Sequence, residues 1–143
     1  MVDNYRRQAG VAVACAATAY AFGADTAIAH DFSACGGDEV CFWSETNANS
    51  DPQGSYADRS SAWNGDANLH DTFYEHIHAG FADDMGNSLD LTWNRTNRYY
   101  AHYNHTSYSG FQGCAGPDKK INWENIGIDG TASSIRAVGI SSC

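Results

Sequence analysis

Basic residues are few in this chain. Eight Lys and Arg stand against 17 Asp and Glu, a formal net charge of −9. Nucleic-acid binding needs Lys and Arg clustered on the phosphates, so nucleic acid is excluded as the main partner. The acidic balance favours solubility. Lysine and leucine are both scarce. There is no CxxC pair, no HExxH and no GxSxG. Their absence removes the common zinc-ribbon, metallopeptidase and α/β-hydrolase signatures. The apolar run Val11–Gly23 is too short to span a bilayer. No linker, coiled coil or low-complexity segment interrupts the chain.

What is present begins with a leader-like segment. Arg6 and Arg7 precede the alanine-rich run Val11–Gly23, and Ala27-Ile28-Ala29 gives a small-x-small cleavage pattern. In that order these are the parts of a secretory signal peptide over residues 1–29. The competing reading is a buried N-terminal helix. Cleavage after Ala29 leaves residues 30–143 as one secreted, extracellular domain, not membrane-bound once the leader is removed. Cys15 lies in the leader, and Cys35, Cys41, Cys114 and Cys143 remain. An even number in an oxidising compartment points to disulfides, and four cysteines allow three connectivities. Pairing sequence neighbours favours Cys35–Cys41 and Cys114–Cys143. Closing the second loop of about 30 residues would contribute about 3–4 kcal/mol in the chain-entropy picture.

Glycine, asparagine, serine, tyrosine and tryptophan are frequent, and aromatics make up 13% of the chain. Aromatic and β-branched residues suit half-buried strands, and Gly, Asn, Asp and Ser supply turns. The chain therefore reads as mostly β. Strands are expected at Glu39–Ser44, Ser55–Ala57, Leu89–Trp93, Tyr99–Tyr103, Phe111–Gly116 and Ser133–Ile140, with a weak one within Asn122–Ile128. Glu45–Gly54 and Asp58–Gly65 read as polar loops. Leu69, Phe73 and Ile77 fall four apart, between Asp66 as N-cap and Gly80 as terminator, which predicts one short helix over about 67–78. A faint repeat is visible. Trp43 precedes Gly54 and Gly86-Asn87-Ser88-Leu89, much as Tyr103 precedes Gly110 and Asp129-Gly130-Thr131-Ala132. Two such Greek-key units would close a sandwich that one alone leaves open on its apolar face.

Four features follow one another: Cys35…Cys41-Phe42-Trp43; Leu89-Asp90-Leu91-Thr92-Trp93-Asn94; Tyr103 six residues before Gly110; and Asp129…Ser133-Ser134-Ile135. In this order they resemble small secreted bacterial proteins of the Streptomyces metalloproteinase inhibitor type. The resemblance covers the chain after the leader and implies a βγ-crystallin-like Greek-key β-sandwich. It casts Trp43, Tyr103, Gly110 and Ser134 as fold-motif residues. It also implies a binding function, with a secreted protease as partner and a monomer as the working form. The first half departs from the pattern. Trp43 to Gly54 is too long a spacing, residues 56–81 hold an insertion, and Asp90-Leu91 stands where the family often has Ser-Ser.

βγ-crystallin-like domains can hold calcium where two Asn/Asp-rich turns face each other. Asp129 and Ser133 would form one half, and Asn87 with Asp90, or Asp83 with Asp84, the other. Calcium needs six to eight oxygens, and Gly130 and Leu91 replace usual oxygen carriers, so Asx-turns that bond their own backbone explain the same residues. No other cofactor is expected. His70, His76 and His78 do not share one helical face, so they read as solvated residues, as do His102 and His105. Glu124 and Asp129 near Ser133-Ser134 assemble no recognisable catalytic set, so no enzymatic activity is expected. The sequons Asn94-Arg95-Thr96 and Asn104-His105-Thr106 matter only on a eukaryotic secretory route. Three functions remain: a peptidase inhibitor acting by tight binding through the Glu45–Gly54, Asp58–Gly65 or Gly113–Asp118 segment; a calcium-binding or structural extracellular domain; and a wall- or carbohydrate-binding module using exposed Trp63, Trp93 and Trp123.

Overall fold

The computed structural model describes residues 31–46, 52–78, 80, 83–128, 130–140 and 143. The leader, residues 47–51 and Asp129 lie outside the described residues. Eight strands form two four-stranded antiparallel sheets: β1 (Glu39–Thr46), β2 (Pro52–Ser60), β3 (Gly65–Asp66), β4 (Leu91–Asn94), β5 (Tyr99–His105), β6 (Ser109–Ala115), β7 (Lys119–Asn122) and β8 (Ser134–Val138). One sheet runs β2-β1-β4-β7 and the other β3-β8-β5-β6. Each Greek-key unit thus places its third strand in the other unit's sheet. The fold is mostly β, as composition predicts, and it is the Greek-key sandwich that the faint repeat and the resemblance imply, the repeat corresponding to its two halves.

Between the sheets, Val40 and Phe42 of β1 meet Tyr100 and Ile135 of the second sheet, with Leu69, Met85 and Leu89 alongside. Cys41 and Trp43 alternate to the opposite face, where a second cluster forms with Cys35, Tyr56 and Leu91. A strand covered on both faces reads as one continuous apolar run, which is why Val40–Trp43 shows no polar alternation. The cover is the short 3-10 turn Phe32–Ala34, whose Phe32 ring sits edge-on to Trp43 and Trp93. The Cys35–Cys41 disulfide clamps it, and Tyr56 Oη donates to Ala34 O at 3.0 Å. The Cys114–Cys143 disulfide ties the chain's last residue to β6.

The expected helix over 67–78 is replaced by a single 3-10 turn, Leu69–Asp71. Beyond it the chain extends. Tyr74 N donates to Asp83 O, and His76 exchanges both backbone bonds with Tyr56. Thr72, Phe73, Tyr74 and Ile77 are β-branched or aromatic and lose side-chain freedom in a helix, so the neighbouring strand's bonds win. Only Leu69 of the supposed stripe is buried; Phe73 and Ile77 are exposed. The Asp58–Gly65 segment is likewise not a loop at its start, because Asp58 pairs with Cys41 in β2.

Tyr103 does not point into the core. It is half-buried on the outer face, while Tyr100 and His102 take the inward positions. The run Tyr99–Tyr103 is aromatic or apolar at nearly every position, so its sequence carries no alternation to decide which parity faces in. Tyr103 instead packs edge-on against Tyr108 and Phe111. The β5–β6 hairpin folds back there on Ser134. Tyr108 N donates to Ser134 Oγ at 3.2 Å, and that hydroxyl donates to His105 O at 2.7 Å. Gly110 has φ 70°, and a Cβ there would lie 1.8 Å from Asn104 Oδ1.

His102, expected on the surface, is buried between Phe42 and Trp123. Its Nε2 lies 3.5 Å from Thr92 Oγ1, which accepts from Trp123 Nε1 at 3.0 Å. Its Nδ1 has no hydrogen-bond partner among the described residues. Burial pushes the imidazole pKa down from 6.5 to about 3. His102 is therefore neutral in the folded protein and ionises in the unfolded chain. The stability it confers is complete above pH 6.5 and is lost as pH falls toward 3. Between pH 6.5 and 4.5 the loss should be on the order of 2–3 kcal/mol in denaturant melts, and His102→Gln should flatten that dependence. An unchanged slope would show that another group sets the acid limit. Ser134→Ala should cost about 1–2 kcal/mol by removing the two bonds from the buried hydroxyl to the hairpin backbone, and Gly110→Val should cost more than Ser134→Ala in the same melts.

Candidate functional site

The two turns proposed for calcium do face each other. Asn87 N donates to Ala132 O at 2.9 Å, and Gly130 N donates to Leu89 O at 3.3 Å. These bonds relate the segments by a local pseudo-twofold. Asn87 has φ 58°, a left-handed conformation that asparagine tolerates because its short side chain bonds locally. Ser133 Oγ donates to Asn87 Oδ1 at 3.3 Å and lies 3.1 Å from His70 Nε2. The Ser133 hydroxyl is thus engaged on both sides by protein groups. Asp90 is held elsewhere: its N–H donates to Trp43 O at 3.0 Å and its carbonyl accepts from Trp123 N at 2.8 Å. That stitches β1 to the end of β7. Asp129 lies outside the described residues. Asn87 and Ser133 therefore come together as expected, and His70, which sequence reasoning set aside, joins them. Among the described residues two side-chain oxygens, Asn87 Oδ1 and Ser133 Oγ, come together here, and calcium takes six to eight.

Cys35, Glu39 and Cys41 also bring ligand-type atoms together. The sulfurs are spent in the disulfide, and Glu39 Oε2 accepts from Gly36 N at 2.7 Å, so the group is a stapled turn. The histidines of residues 69–78 disperse. His70 meets Ser133, the His76 ring stacks on Tyr56 at 5.4 Å, and His78 N donates to Ser55 Oγ at 3.2 Å. Tyr56 and Tyr74 are held as neutral phenols, their pKa values raised chiefly by burial.

The tryptophans expected to form a stacking platform are occupied. Trp123 is buried against His102. Trp63 packs on Phe42 and Tyr100, with the Arg59 guanidinium 5.9 Å from its centre. Trp93 carries Phe32 edge-on, with Arg95 at 4.8 Å and Lys120 at 4.3 Å from its centre. Asn94 is fully used inside the protein. Its Nδ2 donates to Arg98 O and Ala115 O, and its Oδ1 accepts from Thr96 N and Oγ1. Its sequon is therefore not on offer for modification.

Two features escaped the sequence reading. One is the buried His102–Thr92–Trp123 chain, which a lone histidine inside an aromatic strand run hinted at. The other is the extended stretch Thr72–His78, whose β-branched and aromatic content argued against the helix.

No protein-family model and no curated protein sequence matches the chain. Among solved structures, one described as "Evolution of the eye lens beta-gamma-crystallin domain fold" aligns with a TM-score of 0.50 at 9% identity, covering 74% of this chain and 90% of that one. At that identity the likeness concerns architecture alone. With the two four-stranded antiparallel sheets described above, it shows that the chain has the βγ-crystallin domain fold.

Proposed function

We propose that this protein is a secreted peptidase inhibitor that acts by tight binding, with an extracellular protease as partner. The reading draws on the resemblance carried by Cys35…Trp43, Leu89–Asn94, Tyr103…Gly110 and Asp129…Ile135. A metalloproteinase target follows from the resemblance. The observation that carries a binding role is the double clamping of the scaffold. Cys35–Cys41 closes the N-terminal cap over one sheet, and Cys114–Cys143 anchors the last residue to the other. Arg95 Nη1 donates to Cys35 O at 2.5 Å and its guanidinium lies over Trp93, holding the same cap from the side. A scaffold ordered in advance loses little freedom on docking, so more of the contact energy appears as affinity.

Titration of the purified protein against thermolysin-type and subtilisin-type endopeptidases should give stoichiometric inhibition of at least one enzyme. Replacing Cys35 and Cys41 by serine should weaken that inhibition at least tenfold by loosening the cap. No inhibition anywhere in the panel at micromolar protein would refute the reading.

A further inference from the structure

The stretch Thr72–His78 inverts the usual logic of a surface segment. Residues 73, 75 and 77 face solvent, and two of them are large and apolar: Phe73 is 57% exposed and Ile77 59%. The chain beneath them is pinned. Thr72 O accepts from Met85 N at 2.8 Å, and Tyr74 N donates to Asp83 O at 2.9 Å. His76 N donates to Tyr56 O at 3.0 Å and accepts at its own carbonyl from Tyr56 N at 2.9 Å, while His78 N donates to Ser55 Oγ. Tyr74 is buried in the inter-sheet core. Glu75, between the exposed pair, is tied to Arg59. Among the described residues the backbone groups of Phe73, Glu75 and Ile77 make no hydrogen bond. The segment therefore presents an extended backbone whose N–H and C=O groups at 73, 75 and 77 are unpaired among the described residues, with apolar side chains exposed at 73 and 77. A peptide strand bound by edge addition has this form: main-chain bonds supply affinity and alternate side chains enter pockets.

Resting on the inhibitor reading above, we infer that Thr72–His78 is the inhibitory segment, laid in extended form along the substrate cleft of an extracellular endopeptidase, with Phe73 and Ile77 as its anchoring side chains. The charge around it narrows the partner. Asp71 and Asp83 are exposed and Asp84 half-buried beside the pinned backbone, and Arg59, the cation tied to Glu75, is neutralised there. The matching cleft has a pocket for a large apolar side chain and a basic rim. Backbone bonds at positions 72, 74, 76 and 78 hold the segment in place, as a bound inhibitor that resists release requires.

The test uses the full chain and the peptidase that it inhibits. Inhibition constants are measured for the wild type, Phe73→Ala, Ile77→Ala and Ile126→Ala, with thermal melts for each. Ile126 is an equally exposed apolar residue in the distant 3-10 turn Glu124–Ile126. The expected result is a loss of at least tenfold for Phe73→Ala and a clear loss for Ile77→Ala, with melting temperatures unchanged and Ile126→Ala inert. Full potency in Phe73→Ala and Ile77→Ala would overturn the segment while leaving the inhibitor reading intact. A loss in Ile126→Ala as large as in Phe73→Ala would also overturn it. Absence of inhibition by the wild type would overturn both.

Discussion

The structure depends on the exchange of two strands. β3 leaves the first unit to pair with β8, and β7 leaves the second to pair with β4. Without that exchange each unit would keep an unpaired edge and an uncovered apolar face. β3 is only two residues long, so its pairing is reinforced from outside. Arg98 Nη1 donates to Ser61 O and Trp63 O, and Ala137 N donates to Asn64 O, which fixes the crossing link against β5 and β8. Gly65 has φ 106°, and a Cβ there would sit 2.1 Å from Ile135 O, so this close approach requires glycine.

The two units solve the same local problem by different chemistry. Tyr103 pairs with Ser134 in the second unit, as Trp43 pairs with Leu91 in the first. In the second unit the outer face is locked by a polar contact, Ser134 bridging Tyr108 and His105. In the first, Leu91 cannot make that contact. The same position is closed by apolar packing of Trp43 and Tyr56 beneath Phe32, clamped by Cys35–Cys41. This explains why the C-terminal half carries the clearer motif. A hairpin locked by one hydroxyl and one glycine leaves a sequence signature, whereas a packed cluster tolerates many combinations of apolar residues.

The interior is unusual in holding a neutral histidine. His102, Thr92 and Trp123 form a polar thread through the inter-sheet core. Such threads reward good geometry and penalise any change of charge, because the low-dielectric surroundings leave an imidazolium unsolvated. The same core admits Tyr74 from the inserted segment. The stretch Thr72–His78 is therefore anchored from inside by Tyr74 while Phe73, Glu75 and Ile77 stay outside.

Most of the strands, the two-unit organisation and both disulfides were legible because each rests on short-range signals: turn residues, aromatic strand runs and cysteines close in sequence. The hairpin glycine was legible for the same reason. The inward residue of Tyr99–Tyr103 was not, since a run of nearly uniform apolarity has no period. The extended form of Thr72–His78 was hidden behind a fourfold spacing of Leu69, Phe73 and Ile77 that imitated a helix. Its backbone partners, Tyr56 and residues 83–85, come from other parts of the chain. Strand-forming segments and turn positions follow from local residue chemistry. Which faces of those strands are covered, and where the inserted segment finds its hydrogen bonds, is set in the folded chain, because both depend on partners distant in sequence.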